Sequence, residues 1–301
     1  MKLRVVGVLA GLALVLTGCQ ATPTTSDSVS VVVGLYPYAY LAESIGGEHV
    51  TVTNLTTPGA EPHDLELTAR QVATLITADL VIFQSGFQPA VDSAVQESPA
   101  GRVLDVTSVI SLEAHDENSD DHGEHNHGTL DPHVWLDPTK MMVVAQEIAT
   151  QLIQIDPVNE GTYVLRLTKL KERLQNLDED FIDGLSTCEL RVFLTTHAAF
   201  GYLAERYNLT QVAISGLSPD ADPSPVRIAE IHEIAEEHTL TTVFFETLAS
   251  PALAQTIATD LGLKTDQLDP LEGITSESRG DDYPTIMASN LSALRLANTC
   301  S

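Results

Sequence analysis

The apolar positions of the chain alternate between two spacings. Residues 29–35 form a largely β-branched run, and the apolar residues that follow, Tyr38, Leu41 and Ile45, recur at helical spacing. Further strands are predicted at residues 49–55, 80–83, 103–106, 190–194, 211–214 and 242–245, and further helices at 68–77, 89–96, 138–155, 225–238, 251–261 and 283–296. Strands that alternate with helices in this way predict parallel sheets.

One predicted helix, residues 157–185, is exceptionally long and separates the two halves of this pattern. At a rise of ~1.5 Å per residue it spans on the order of 40 Å, a length that suits a strut between two lobes. We therefore predict an α/β fold with two lobes, each a mostly parallel sheet flanked by helices, joined by one long rigid helix. The N-terminal lobe is expected at residues 29–156 and the C-terminal lobe at residues 186–301.

The first residues have the pattern of an exported protein. Lys2 and Arg4 precede an apolar run that is too short for a membrane span, so residues 1–18 are interpreted as a signal peptide. Residues 16–19 (LTGC) resemble the bacterial lipobox, which makes Cys19 a lipidated first residue and 19–28 a flexible tether. The alternative is an ordinary signal peptide with a chance cysteine.

The net charge and the cysteine content restrict the ligands and partners that the protein can bind. A formal net charge of −27 excludes nucleic acid as a partner, because the phosphate backbone would be repelled. Beyond Cys19 the chain has Cys188 and Cys300, which an exported protein can join as a disulfide. Two separate thiols are the alternative. A zinc site on these cysteines is disfavoured, since they are far apart in sequence and have no neighbouring histidine.

Four short segments place metal-ligating side chains where predicted strands end and loops begin, the usual ligand edge of an open α/β sheet. They are residues 58–64 (PGAEPHD) with His63, 131–138 (DPHVWLDP) with His133, 195–200 (TTHAAF) with His197, and 268–271 (LDPL) with Asp269. Three imidazoles and one carboxylate suit zinc, whereas manganese prefers more oxygen ligands. A single histidine of this kind is more often a surface or hydrogen-bonded residue, but four such segments together favour a metal site.

The same segments give a specific resemblance. Residues 59–66, 133–138, 197–202 and 269–271 resemble the metal-specific solute-binding proteins of bacterial zinc and manganese ABC importers. The resemblance implies that His63, His133 and His197 are the imidazole ligands and that Asp269 closes the site. Manganese-type members generally have glutamate at the position of His197, so zinc is expected and manganese or iron is the alternative. In some zinc members, water or a glutamate near the first histidine, here Glu61, takes the fourth position.

From this resemblance follows the expected function. The protein is expected to bind zinc between its lobes on the extracytoplasmic side of the cell membrane and to deliver it, as a lipid-anchored monomer, to the permease of an ABC importer. Because imidazole ligands must be neutral, zinc binding is expected to weaken below about pH 6. Glu246, which follows a predicted strand, is expected to have a structural or partner-contact role rather than to bind the metal.

A polar, acidic stretch at residues 113–128 interrupts the first lobe and carries four histidines: His115, His122, His125 and His127. It has no apolar residue able to anchor a core, so we predict a mobile loop. The family resemblance suggests an auxiliary collector of zinc, and the alternative is a solvated insertion whose histidines are incidental.

Two other functional classes fit the sequence less well. A zinc hydrolase would share the three histidines, but the chain has no His-Glu-x-x-His pair, no Gly-x-Ser-x-Gly elbow and no evident general base, so it is not expected to be an enzyme. A carrier of iron chelates would share the long helix but would need arginine or aromatic contacts to the chelator, and both residue types are sparse here.

Overall fold

A computed structural model describes residues 28–97, 101–115, 130–219 and 222–301 of the 301-residue chain. The predicted signal peptide, the lipidation site Cys19 and the loop histidines His122, His125 and His127 lie outside these residues. Every helix within the described ranges is too short or too polar to pass through a lipid bilayer.

The first half of the chain forms a four-stranded parallel sheet with its helices. The strands are β1 (Val29–Val33), β2 (Val50–Asn54), β3 (Leu80–Phe83) and β4 (Arg102–Asp105), and the helices are α1 (Tyr36–Gly46), α2 (Ala69–Ile76), α3 (Pro89–Glu97) and α4 (Pro138–Ile155). The spatial order is β2-β1-β3-β4. Successive residues of β3, such as Val81 and Ile82, enter different hydrophobic clusters, so both faces of the sheet are buried. That burial explains the continuous apolar strand sequence.

The second half repeats this topology after a long helix, α5 (Glu160–Leu185). Its strands are β5 (Val192–Thr195), β6 (Thr210–Ala213), β7 (Thr242–Phe245) and β8 (Lys264–Gln267), and its helices are α6 (Gly201–Arg206), α7 (Pro225–Glu237), α8 (Ala252–Leu261) and α9 (Tyr283–Ala297). The order β6-β5-β7-β8 matches that of the first sheet strand for strand, and every pair is parallel. The predicted fold class is confirmed.

The long helix is packed along its length against both halves. It contacts α1 and α4 of the first half and α9 of the second. Its buried seam includes Leu170, Leu174 and Phe181, which belong to one hydrophobic cluster together with Ile45 of α1 and Ile286 of α9. The two sheets therefore share a core through α5, and the predicted connecting helix is packed against both halves of the fold.

A polar clamp adds to this packing. Asp178 of α5 is buried, and it accepts hydrogen bonds from Arg206 Nε at 2.9 Å, from Arg206 Nη2 at 2.6 Å and from Tyr207 Oη at 3.1 Å. A two-pronged arginine contact of this kind fixes geometry as well as charge. It ties the long helix to the end of α6.

The predicted disulfide is confirmed. Cys188 and Cys300 are bonded across a sequence separation of 112 residues. Backbone hydrogen bonds from Glu189 N to Thr299 O and from Leu190 N to Asn298 O continue the contact. The end of the chain after α9 is thereby fastened beside the start of β5.

Candidate metal centre

Three imidazoles meet between the two halves of the fold. His63 lies in the loop after β2, His133 lies between β4 and α4, and His197 follows β5 by two residues. Their ring centroids are 5.6 Å (His63 to His133), 5.4 Å (His133 to His197) and 6.0 Å (His63 to His197) apart. His133 and His197 are completely buried, and the His63 side chain is 13% exposed. These are the three histidines that the sequence singled out.

The carboxylate that meets them is Glu272. Its Oε1 atom lies 3.2 Å from His63 Nε2, 3.2 Å from His133 Nε2 and 3.7 Å from His197 Nε2. The four side chains thus point one donor atom each at a common centre, all within 4.8 Å of one another. The first half of the chain supplies two of these donors and the second half supplies the other two.

Asp269, the fourth ligand expected from the sequence, is not among these four side chains. One oxygen of Asp269 accepts from Leu271 N at 2.8 Å and the other from Ser278 Oγ at 2.9 Å. Asn290 holds its backbone, accepting from Asp269 N at 2.9 Å and donating to Asp269 O at 2.7 Å. Both acids follow β8 closely, and strand-end position alone does not distinguish them.

Asp269 instead shapes the turn that carries Glu272. The turn passes through Leu271 with φ of 61°, a left-handed conformation that a branched residue adopts only when its surroundings hold it there. The Asp269 carboxylate does so by binding the Leu271 amide. Burial raises the pKa of Asp269 to about 6. Burial therefore disfavours a charge at residue 269, and the hydrogen bonds from Leu271 and Ser278 oppose this effect.

Buried carboxylates orient two of the imidazoles from behind. His133 Nδ1 lies 2.7 Å from Asp131 Oδ1, and His197 Nδ1 lies 2.6 Å from Glu246 Oε1 in a more oblique ion-pair contact. A carboxylate can only accept, so it favours a proton on the Nδ1 atom that faces it and leaves Nε2 as the atom that can bind a metal in the centre. Glu246 also accepts from Thr196 Oγ1 at 2.7 Å, which agrees with the structural role that its sequence position suggested.

Other predicted residues lie around the group without joining it. Glu61 Oε1 accepts from His63 N at 3.0 Å and so supports the loop that carries this histidine. His115 contacts Asp131 through Nδ1 at 2.9 Å and lies behind His133 rather than in the centre.

Aromatic rings shield the donors from water. Phe87 packs edge-on against His63 with centroids 4.7 Å apart, and Trp135 packs against His133 at 5.2 Å. Trp135 also joins the two halves of the fold, because its Nε1 donates to Pro270 O at 2.7 Å and its carbonyl oxygen accepts from Tyr283 Oη at 2.6 Å. The position of the Glu272 turn is thereby tied to the segment that carries His133.

The charges of the centre are strongly coupled. Burial disfavours charge on His133 and His197, but the carboxylates around them outweigh it, so the pKa of each ring is raised. Burial likewise opposes ionisation of Glu272, yet the three imidazoles hold the pKa of this carboxyl well below its usual range. Without a metal ion, the centre therefore attracts protons to the same place where a cation would bind.

These observations define a two-lobed α/β binding protein with a buried group of three imidazoles and one carboxylate. The chain belongs to the family described as zinc-uptake complex component A, periplasmic (ZnuA), which it matches over residues 31–297. It is 33% identical over 304 residues to the high-affinity zinc uptake system protein ZnuA of Bacillus subtilis. The match covers 96% of this chain and 95% of that protein.

A second relative is longer. The chain is 35% identical over 292 residues to the zinc-binding lipoprotein AdcA of Streptococcus pneumoniae, and the match covers 94% of this chain but 58% of AdcA. The crystal structure of the Zn(II)-bound ZnuA-like domain of AdcA superposes with a TM-score of 0.75 at 34% identity, covering 90% of this chain and 99% of that domain. The similarity therefore extends through both lobes.

The contrasting positions of Glu272 and Asp269 generate a prediction for binding of Zn²⁺, the ion in that AdcA domain. Asp269→Ala should weaken zinc binding by about 10–100-fold, as is usual for a residue that orients a ligand. Asp269→Asn should restore near-normal affinity, because an amide oxygen still accepts from the Leu271 amide. Glu272→Ala should weaken binding more than Asp269→Ala, and Glu272→Gln should not restore it, since an amide is a poor zinc ligand.

Competition with a chromophoric zinc chelator measures all four variants on one scale. Rescue by Glu272→Gln together with failure of Asp269→Asn would reverse the roles assigned to the two acids.

Proposed function

We propose that the protein captures zinc between its lobes on the extracytoplasmic side of the cell membrane and delivers it to the permease of an ABC importer. The observation that carries this proposal is the convergence of His63, His133 and His197 Nε2 on Glu272 Oε1. These four residues are the proposed ligands. The division into lobes at residues 29–156 and 186–301, with the connecting helix at 157–185, is part of the same proposal.

Ligand chemistry supports zinc over manganese. Four donors, three of them imidazole nitrogens, match the tetrahedral, nitrogen-rich coordination that zinc prefers. Manganese favours more oxygen atoms and higher coordination, and the buried rings of His133 and His197 leave little room for added water. The names of the similar proteins from Bacillus and Streptococcus point to the same metal.

A site with four protein ligands also supports binding of the metal rather than catalysis. A catalytic zinc site typically keeps one position open for water or substrate. Here the fourth donor is Glu272, which is 1% exposed. The similar proteins are named for zinc uptake and zinc binding, which favours a transport protein over a hydrolase.

Zinc enters, in this proposal, from the side of His63, the proposed ligand whose side chain is partly exposed. Its loop lacks regular secondary structure between β2 and α2, so in this proposal the loop shifts locally while the shared core on α5 restrains the lobes. Docking of the loaded protein on the permease would displace a ligand and release the ion. Cys19 is proposed as the lipid anchor, consistent with the name of AdcA as a lipoprotein, and the protein is proposed to act as a monomer.

Replacement of one deeply buried ligand tests the proposal. Wild-type protein should bind one tight zinc per chain and prefer zinc to manganese, and His197→Ala should lose the tight site because three donors remain. His238→Ala, at an exposed histidine after α7, is the matched control and should behave as wild type. Calorimetric titration with each metal, followed by competition, measures the stoichiometry and preference.

Cells that depend on this protein for growth in zinc-limited medium extend the same test to delivery. They should be rescued by wild type and by His238→Ala but not by His197→Ala. Tight zinc binding that persists in His197→Ala would refute the proposed centre, and growth rescued by that variant would refute its role in uptake.

The raised histidine pKa values predict how zinc affinity depends on pH. An imidazole binds zinc only when neutral, so a ring with a raised pKa begins to take up protons at a higher pH than an ordinary histidine, whose pKa is about 6.5. Zinc affinity should therefore already fall as pH decreases through neutrality, above the threshold of about pH 6 expected from sequence. Each proton displaced by the metal should raise log Kd by about one for each pH unit lost.

Chelator competition between about pH 8 and pH 5 measures this slope, and calorimetry in buffers of different ionisation enthalpy counts the released protons. Full affinity at pH 5 would contradict a centre dominated by histidine.

A further inference from the structure

A second group of metal-ligating side chains lies behind the proposed zinc centre. Glu113, His115 and Glu205 each point a donor atom at a common position, and these atoms lie within 4.8 Å of one another. His115 Nε2 is 2.9 Å from Glu205 Oε2 and 3.9 Å from Glu113 Oε2. The group is more open than the first, since the side chains of Glu113 and Glu205 are 41% and 60% exposed.

The two groups are joined by one completely buried carboxylate, Asp131. Its Oδ1 lies 2.7 Å from His133 Nδ1, and its Oδ2 lies 2.9 Å from His115 Nδ1. Because the carboxylate only accepts, it receives a hydrogen bond from the Nδ1–H group of each ring. Both histidines are thus held in the tautomer that presents Nε2, one toward Glu272 and the other toward Glu205.

With its proton on Nδ1, the His115 ring needs a positive charge at Nε2. A neutral ring would place the lone pair of its Nε2 against two carboxylates, which repel it. The arrangement is satisfied by a positive charge at Nε2, either a proton on the ring or a metal ion shared by the three side chains. The carboxylate–histidine–metal arrangement is the usual way of preparing an imidazole to bind a metal.

The position of His115 is built into the fold. A Cβ at residue 201 would lie 2.5 Å from His115 Cβ and 2.6 Å from Asp131 Oδ2, so glycine is needed at Gly201 for the imidazole to reach the carboxylate. Tyr202 braces the same segment by donating to Asp131 O at 3.0 Å and accepting from Glu113 N at 2.8 Å. Its ring packs edge-on against His115 with centroids 4.4 Å apart.

We propose that Glu113, His115 and Glu205 form a second, weaker site for a divalent cation such as zinc. A cavity of about 260 Å³, lined in part by His115, Gly201 and Glu205, gives the site access to solvent, and water completes the coordination. Lys140 pairs with the other oxygen of Glu113 at 2.8 Å and lowers the attraction for a second cation. The site therefore binds and releases its ion readily.

The proposal of a second site does not depend on the proposed function. The coupling between the second site and the buried centre does rest on the proposed function. A cation on either imidazole strengthens the hydrogen bond of that ring to Asp131, and the two rings share this single carboxylate. Occupation of the second site therefore weakens zinc binding at His133 by the same factor by which zinc at His133 weakens the second site.

Zinc titration of the purified full chain tests the second site. The reference protein carries His122→Gln, His125→Gln and His127→Gln, which removes the other imidazoles of the 113–128 segment. At about 0.15 M salt, where long-range attraction to the acidic surface is largely screened, it should bind one tight and one weaker zinc. Adding His115→Gln or Glu205→Gln should weaken the second zinc at least about tenfold, whereas Glu236→Gln, at an exposed glutamate of α7, should not.

Each result of the zinc titration either supports or overturns the second site. One zinc per chain in the reference protein would overturn the second site and show that a proton alone balances His115. A second zinc that survives both His115→Gln and Glu205→Gln would place that ion elsewhere and would also overturn it. Loss of the tight zinc from the reference protein would instead contradict the proposed function, so the two failures are distinguishable.

Discussion

The convergence of three imidazole nitrogens on one buried carboxylate oxygen is the interaction on which this structure depends. Ionised carboxylates are costly to bury unless they are paired and hydrogen-bonded. Here Glu272 is paired with imidazoles from three separate segments, and Asp131 and Glu246 pair with two of those rings from behind. Removal of any member would leave a partner in a poorly solvated place. Each member of the centre is therefore held in place by its partners.

Such a centre requires the two lobes to be held in a fixed relative position. The donors come equally from the two halves of the chain, and a small relative movement of the sheets would separate them. The shared core along α5, the clamp between Asp178 and Arg206, and the bridge from Trp135 to Pro270 oppose that movement. A local shift of the His63 loop, as proposed above, is consequently easier than closure of whole lobes.

Much of this architecture was predictable from sequence. In a parallel sheet both faces are covered, so its strands appear as apolar runs such as β3, and the interposed helices follow from their 3.6-residue spacing. The histidines could be identified because each follows a strand or lies between prolines. The cysteine pair could be predicted because few thiols remain in a chain with a predicted export signal.

Other features depend on three-dimensional relations that spacing does not encode. Asp269 and Glu272 are three residues apart, and the left-handed turn at Leu271 decides which of them faces the imidazoles. The role of Asp131 in joining His115 to His133 arises only when α6 packs against the 113–115 segment, where Gly201 leaves room. Amphipathic spacing on α5 showed that one face is buried but not that both lobes share it.

A crystal structure of the zinc-loaded protein, with data collected on both sides of the zinc absorption edge, is the most direct test of the central claim. We expect one strong anomalous peak bonded to Nε2 of His63, His133 and His197 at about 2.0–2.1 Å and to a carboxylate oxygen of Glu272 at about 2.0–2.2 Å. A principal peak bonded to Asp269, or one lying away from these imidazoles, would contradict it.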